Sequence, residues 1–327
     1  MTILVTGGAG YIGAHVVRLL LERGESVVVV DSLSTGRPER VSGAALVDLD
    51  LGADGAAAHL EALLVKEQVD AVIHIAALKQ VGESMADPLL YYRQNVGGMT
   101  NLLSAMQQAG VRRFVFSSSA ATYGMPEETT VTEKTPCQPI NPYGQTKLIG
   151  EWMTEASARA WGLRPVNLRY FNVAGAQSPD LADPAALNLV PIVIGKVLNG
   201  EAPVIFGDDY PTPDGTCVRD YVHISDLASA HLAALDSTAG DGPLETVLNV
   251  GTGMGASVLE VVKLVGEVAG REVTPTIVGR RAGDPPKLVA DVSLIERALG
   301  WKAKLGLSEI VESAWNAEVV RRGTSAT

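Results

Sequence analysis

A doubly wound parallel sheet with helices on both faces is the α/β fold class predicted by the sequence, on three observations. Short β-rich runs alternate with helical patterns through the first half. These runs are apolar throughout, as strands covered on both faces are. The first of them leads into a glycine cluster that opens a helix. Strands are expected at residues 3–6, 26–31, 45–47, 71–75, 113–117 and 164–169, with helices such as 12–23 and 98–109 between them. After about Gly175 the character changes. Residues 178–184 and 207–216, rich in Pro, Gly and Asp, read as loops. Helices resume at 189–198, 224–235, 257–269 and 292–299. The expected organisation is a Rossmann-type domain over 1–176, to which segments around 220–250 return, and a smaller mixed α/β domain over 177–327.

Composition narrows the function. A chain of 327 residues, 46% hydrophobic and 19% charged, can bury a substantial globular core. Its net charge is −11, and its most basic stretches are mere pairs such as Arg280 and Arg281. Such a surface repels phosphate backbones and anionic bilayers, which argues against nucleic-acid and membrane partners. Any anionic ligand must be held by local donors against that field. Cys137 and Cys217 provide neither a disulfide framework nor metal-ligand spacing, so reduced thiols and no metal are expected. No apolar run approaches the ~20 residues that span a bilayer. Met1 leads straight into the first strand without a signal sequence. The expected location is the cytoplasm.

Gly7-Gly8-Ala9-Gly10-Tyr11-Ile12-Gly13 follows a strand and opens a helix. In such a turn Gly7 permits the tight bend, Gly10 lets the backbone approach a pyrophosphate, and Gly13 lets helix and strand pack closely. The helix N-terminus offers free N–H groups and a positive dipole end to phosphate. Asp31 ends the second strand about 20 residues on, where a carboxylate accepts from ribose hydroxyls and repels a 2′-phosphate. NAD is therefore favoured over NADP, although Arg37 lies close by.

A second cluster points to redox chemistry. Ser117-Ser118-Ser119 ends an apolar strand, where open α/β sheets build their sites. Asn141-Pro142 reads as a helix start, with Asn141 at the N-cap. Tyr143 and Lys147 follow at a spacing of four, on one helix face. An ammonium and an oxidised nicotinamide ring both pull a nearby tyrosine pKa down from about 10. Tyr143 can then take a hydroxyl proton while hydride leaves the same carbon, with Ser119 bridging the two oxygens. His74, in an apolar strand, reads as a core histidine. Asp208, Asp209 and Asp214 read as solvated turn residues.

Nearly end to end, the chain resembles the UDP-glucose 4-epimerase family of the extended short-chain dehydrogenase/reductases. The glycine turn, Phe116 through Ser119, and Tyr143 through Lys147 carry the superfamily resemblance. Segments 74–79 and 169–172 belong to the resemblance as well, and the second-half segments 206–212, 215–221 and 280–284 carry the narrower one. The resemblance implies Tyr143 as base and acid, Ser119 as its partner, and Lys147 as tuner and ribose ligand. It implies a cofactor site of Gly7, Gly10, Tyr11, Ile12, Gly13, Asp31, Ala76, Lys79, Asn95, Ser117, Tyr143, Lys147 and Tyr170. Asp50 and Leu51 would flank the adenine, with Asp48 a competing candidate. On the substrate side it implies Lys79, Ser119, Tyr143, Phe171, Asn172, Asn188, Leu189, and Val204 to Phe206. Arg219 and Arg281 would grip the diphosphate, and Asp284 a uridine ribose hydroxyl. Salt bridges to Asp220 and Asp284 are the alternative account of the two arginines. The implied reaction oxidises the sugar at C4, lets the 4-keto sugar rotate, and reduces its other face with tightly bound NAD. A homodimer through helices 96–109 and 142–161 is implied as well.

Several rivals share the fold. Dehydratases and decarboxylases carry an acidic pair or a Glu just after the serine or threonine, whereas Ala120 and Ala121 stand here, leaving elimination without a proton carrier. Epimerases of UDP-N-acetylhexosamines, UDP-pentoses or UDP-glucuronate remain open, with Leu288 at the position beside the sugar 2-substituent. Non-catalytic NAD sensors typically lose the Tyr/Lys pair, which is intact. Gln145-Thr146 replaces the family's more usual Lys-Ser and is expected to matter little, since those side chains point elsewhere on the helix.

Overall fold

A computed structural model describes residues 1–183, 187–281 and 283–323. Pro184, at the end of the expected 178–184 loop, and Ala282, inside the 280–284 segment, lie outside the described residues. The chain divides into two compact units. The first comprises Met1–Gly124, Cys137–Arg169 and Ala228–Leu248. The second comprises Met125–Pro136, Tyr170–Leu227 and the chain from Asn249 onward.

The first unit is organised by a seven-stranded sheet. Its strands are β1 (Thr2–Thr6), β2 (Ser26–Asp31), β3 (Ala45–Asp48), β4 (Ala71–His74), β5 (Arg113–Ser117), β7 (Arg164–Tyr170) and β11 (Val247–Val250). Their order is β11-β7-β5-β4-β1-β2-β3, and the β1–β2, β2–β3, β1–β4, β4–β5 and β5–β7 pairs all run parallel. The order reverses at β1, so the crevice beyond β1 and β4 is the topological switch point. β4 stops one residue short of the expected 71–75, because the N–H groups of Ile75 and Ala76 both turn onto the Thr6 carbonyl. Helices α1 (Tyr11–Glu22), α2 (Ala56–Lys66) and α5 (Gly98–Ala109) follow β1, β3 and β4. α2 and α5 pack on each other and close the core formed by Leu4, Val30, Val72, Leu60, Leu102 and Phe114. The sequence pattern had not marked α2, nor the short helices α3 (Val81–Ala86) and α4 (Pro88–Tyr91), nor the π-helical turn Tyr92–Gly97. α6 (Pro142–Trp161) starts as expected, with the Asn141 side chain accepting from the Gly144 N–H at 2.8 Å.

The second unit holds a five-stranded sheet in the order β12-β10-β14-β6, with β8 paired to β10. These strands are β6 (Thr130–Val131), β8 (Asn172–Ala174), β10 (Val218–His223), β12 (Gly255–Ser257) and β14 (Lys287–Ala290). Two expected boundaries are corrected by hydrogen bonding. The first unit ends at Arg169 rather than 176, because Asn172–Ala174 pairs with Tyr221–His223. Residues 125–136 leave it because Thr130–Val131 pairs with Val289–Ala290. The returning segment is 228–248 rather than 220–250, and it begins inside α8 (Ile224–Ser237). Helices α7 (Leu189–Leu198), α9 (Val258–Val268) and α11 (Leu307–Arg322) pack together over Val193, Ile194, Val262, Ile310 and Trp315. β9 (Val204–Phe206) and β13 (Thr276–Val278) form a separate two-stranded sheet. α10 (Ser293–Leu299) follows β14. No helix among the described residues is long and apolar enough to cross a membrane.

His74 is a core residue of the first unit. Its Nδ1 lies 2.7 Å from Thr6 Oγ1, and its ring stacks on Phe114 and Phe116. Burial, with a smaller push from the Lys147 ammonium, lowers its pKa from 6.5 to about 3. A histidine with a depressed folded pKa stabilises fully above its unfolded pKa, and that stability is lost as pH falls from about 6.5 towards 3. A His74→Phe variant should lose about 1 kcal/mol at pH 8 by orphaning the Thr6 hydroxyl. Its stability should also fall less steeply between pH 6.5 and 4 than that of the parent, as read from urea unfolding at each pH. Equal slopes would refute the assignment.

Candidate active site

The glycine turn of the first unit is shaped by close approach. Gly7 has φ +69°, and a Cβ there would stand 2.6 Å from the Ala76 nitrogen. A Cβ on Gly13 would stand 2.1 Å from the Gly7 carbonyl oxygen. The turn therefore closes only with glycine at both places. Helix α1 begins at Tyr11 behind Gly10, with no side chain capping it, so its positive dipole end faces the glycine turn. Asp31 is buried at the end of β2. Its Oδ2 accepts from the Ala9 N–H at 3.0 Å and its Oδ1 from the Leu33 N–H at 2.9 Å. Each oxygen keeps a second acceptor site. Of the two adenine candidates, Asp48 is exposed, opposite Asp31 in the sheet register. Asp50 is half-buried, accepting from the Gly52 N–H and the Gln94 amide, with Leu51 buried beside it.

Lys79 is exposed on the loop after β4, and that loop is pinned on both sides of it. Asn95, buried in the π-helical turn, accepts from the Leu78 N–H at 2.8 Å and donates to the Leu78 carbonyl at 3.0 Å. The hydroxyl of Tyr91, which the sequence reading did not single out, accepts from the Gln80 N–H at 2.8 Å.

At the end of β5 the three serines face different partners. Ser117 Oγ lies 2.8 Å from His231 Nε2. Ser118 Oγ donates to the Glu151 carboxylate. Ser119 Oγ accepts from the Ala121 N–H at 3.1 Å, and its hydroxyl acts on Tyr143 to lower the phenol's pKa. Tyr143 and Lys147 are buried on one face of α6, with the Lys147 ammonium 5.9 Å from the Tyr143 ring centre and 5.0 Å from that of Phe116. Lys147 Nζ donates to the Ser117 carbonyl at 2.6 Å. Burial lowers the Lys147 pKa from 10.5 to about 7, against an upward pull from the Glu151 carboxylate. The expected depression of the Tyr143 pKa is corrected for the protein alone. Burial pushes it up, and the Ser119 hydroxyl only partly offsets that. A buried phenol, an ammonium and a hydroxyl so arranged can move a proton to and from a secondary alcohol. The residues present suit NAD through the uncapped helix end, the Asp31 acceptor and the buried ammonium.

The second unit has its own cationic cluster. Arg219, on β10, donates from Nη2 to Asp284 Oδ1 at 2.7 Å and from Nη1 to its neighbour's carbonyl, the Val218 oxygen, at 2.8 Å. Asp220 is not its partner. That carboxylate is buried and accepts from Thr252, Gly253 and Ala290. The Arg281 guanidinium lies 4.4 Å from the Phe206 ring centre, a contact that leaves its donors free for other acceptors. Val204 and Phe206 are partly exposed on β9, and Asn188 and Leu189 start α7. Tyr170, Phe171 and Asn172 also belong to this unit. Of the turn carboxylates, Asp209 pairs with Arg280 at 2.6 Å. Asp214 is half-buried and accepts from the Thr216 N–H and from the Thr216 and Ser257 hydroxyls. The sequence reading missed Tyr221, two residues beyond Arg219 on β10 and hence on the same face. Its hydroxyl is buried near Arg219 and Asp284 with no hydrogen-bond partner in place. Among the described residues no group of His, Cys, Asp or Glu could hold a metal ion.

A glycine turn at a sheet switch point, with a Tyr/Lys pair one strand end away, defines a nucleotide-dependent redox enzyme of the short-chain dehydrogenase/reductase type. The chain belongs to the NAD dependent epimerase/dehydratase family, which it matches over residues 3–251. It is 47% identical over 322 residues to the UDP-glucose 4-epimerase of Azospirillum brasilense, covering 97% of this chain and 91% of that protein. The crystal structure of UDP-glucose 4-epimerase from Brucella ovis in complex with NAD superposes with a TM-score of 0.91 at 42% identity, covering 96% of this chain and 97% of that one. The enzyme from Bifidobacterium longum, in complex with NAD+ and UDP, superposes with a TM-score of 0.90 at 39% identity, covering 99% and 100%.

The close approach at Gly13 makes a quantitative expectation. Gly13→Ala should cost about 1–3 kcal/mol through overpacking, measured by urea unfolding. An unchanged midpoint would show that the turn tolerates a Cβ.

Proposed function

We infer that the chain is an NAD-dependent isomerase that interconverts UDP-galactose and UDP-glucose at C4. The observation that carries this reading is the buried Tyr143–Lys147 pair beside Ser119, joined to near full-length similarity to UDP-glucose 4-epimerases. NAD, when bound, supplies the hydride acceptor and returns the hydride, so the reaction needs no outside oxidant. Gly7, Gly10, Tyr11, Ile12 and Gly13 hold its pyrophosphate, and Asp31 its ribose hydroxyls. Asp50 and Leu51 flank the adenine. Ala76, Lys79, Asn95, Ser117, Lys147 and Tyr170 complete the cofactor's surroundings.

Tyr143 Oη takes the C4 hydroxyl proton, and later returns it once the 4-keto sugar has turned its other face. Ser119 orients the same oxygen. The Lys147 ammonium and the positive ring of bound NAD together would favour the phenolate form of Tyr143 against the opposing effect of burial. Arg219 and Arg281 bind the diphosphate, with Asp284 on the uridine ribose and Phe171, Asn172, Asn188, Leu189, Val204 and Phe206 around the rest of the nucleotide sugar. Affinity then resides in UDP, which leaves the hexose free to rotate. Ala120 and Ala121 place no carboxylate after Ser119, which disfavours dehydration. The first unit, residues 1–124, 137–169 and 228–248, serves as the NAD-binding domain, and the second unit serves the UDP-sugar.

The proposed assembly is a homodimer acting in the cytoplasm. Of the two helices expected to pair, α6 exposes Trp152 whereas α5 exposes no large apolar side chain. The helices α3 and α4, which pack on α6, add Val81, Met85 and Leu89. A Trp152→Glu, Leu89→Glu variant should sediment as a monomer if these helices form the interface. An unchanged dimer would move the interface elsewhere.

Purified protein given UDP-galactose without added cofactor should form UDP-glucose. A Tyr143→Phe, Lys147→Ala variant should be slower by at least about 10²-fold, the usual contribution of general acid–base catalysis. No conversion by the parent, even with added NAD, would sink the substrate assignment and turn the assay to UDP-N-acetylglucosamine and the UDP-pentoses.

A further inference from the structure

One buried ion pair in the first unit plays no part in the reaction just described. Glu151 lies one turn beyond Lys147 on α6, as Lys147 lies one turn beyond Tyr143, so the three share a helix face. Glu151 and Arg169 are each only 5% exposed. Arg169 clamps the carboxylate bidentately, Nε to Oε1 at 2.9 Å and Nη2 to Oε2 at 2.6 Å. Its guanidinium lies 4.9 Å from the Tyr123 ring centre, and Nη1 donates to that tyrosine's hydroxyl at 3.1 Å. Burying both charges offsets most of their attraction, so net stability is a weak reason for such a pair.

The contacts of the carboxylate lead to the Tyr/Lys pair. Its third donor is the hydroxyl of Ser118. Ser118 stands between Ser117, whose carbonyl receives Lys147 Nζ, and Ser119, whose hydroxyl acts on the Tyr143 phenol. Anchoring Ser118 to α6 therefore sets both neighbours against the helix that carries Tyr143 and Lys147. Arg169 occupies both carboxylate oxygens, so Glu151 stays off the ammonium and leaves it on the Ser117 carbonyl.

We propose that Glu151, clamped by Arg169, is a positioning residue that registers the serine strand end with Tyr143 and provides the counter-charge that keeps Lys147 an ammonium. The proposal rests on Tyr143 and Lys147 being the reacting pair. The groups facing Lys147 are few. From α6 come Tyr143 and Glu151, and from β5 the Ser117 carbonyl and the Phe116 ring. From β4 comes His74, held neutral. Behind Glu151 lie Arg169 of β7, Tyr123, and the half-buried Cys137, whose thiol burial pushes up. His231 of α8 faces Ser117 Oγ. Among these described groups Glu151 is the one permanent anion, and its charge raises the proton affinity of Lys147 against the opposing effect of burial.

Removing that charge lowers the affinity of Lys147 for its proton, so the ammonium is lost at a lower pH. The alkaline limb of the kcat/KM profile then moves down, and the acid limb, set by Tyr143, moves up as its stabilising cation weakens. Glu151→Gln keeps the length and an acceptor for Ser118. Its alkaline limb should fall by about one pH unit or more, the size of a nearby-charge effect. The double variant Glu151→Gln, Arg169→Met removes both charges of the pair together, so Arg169 is not left unpaired, and it carries the test if the single variant does not fold. Its alkaline limb should lie below that of the parent and above that of Glu151→Gln. Parent-like limbs in whichever variant folds, with only the height reduced, would reduce the pair to a structural staple and overturn the proposal. Tyr143→Phe is run beside them. If it stays active the reading of the reacting pair fails, a result distinct from any shift of the limbs.

Discussion

The burial of Lys147 is the constraint around which the first unit is arranged. An ammonium 3% exposed cannot be hydrated, and burial pulls its pKa down to about 7. The chain answers with a short hydrogen bond to a strand-end carbonyl, an aromatic ring at 5.0 Å, and a carboxylate one turn away. Each answer requires another element in place. The carbonyl requires β5 to end at Ser117, the carboxylate requires Arg169 from β7, and both require α6 to lie across those strand ends. Energy released by burying the apolar sheet thus holds a cation where water would otherwise take it.

The second unit meets a different demand, holding basic groups in a chain of net charge −11. Arg219 is tied by Asp284, and Arg281 rests on Phe206, a contact that satisfies charge without using its hydrogen-bond donors. The neighbouring Asp220 contributes nothing to this. It is spent on the loop between β11 and β12, accepting from Thr252 and Gly253. Adjacent residues on a strand face opposite sides, which is why Arg219 and Tyr221 share one environment and Asp220 another.

Much of the fold was legible from periodicity and punctuation. The strands at 26–31 and 113–117 and the helices at 98–109 and 189–198 lie where the pattern put them, because their burial is continuous or one-sided along the chain. α2 and α11 were not marked. In α11 buried and exposed residues are mixed with little amphipathic contrast, so its packing on α7 and α9 leaves a weak trace. The division into units was only partly legible. Two short strands, Thr130–Val131 and Asn172–Ala174, join the second sheet through backbone hydrogen bonds with partners far along the chain. Side-chain identity does not encode such pairing at that length.

For the site the line falls in a similar place. Local sequence determined the glycine turn, the Tyr/Lys spacing and the Asn141 cap, since each is specified within a few residues by sterics or by the helical repeat. Tertiary structure alone decided which carboxylate meets which arginine. Glu151 was invisible as a partner of Arg169, 18 residues away, and the sequence offered Asp220 and Asp284 for the two arginines without deciding that Arg219 meets Asp284, 65 residues away. It also decided the protonation of Tyr143, Lys147 and His74. Desolvation depends on everything packed around a group, and no short stretch of sequence contains that information.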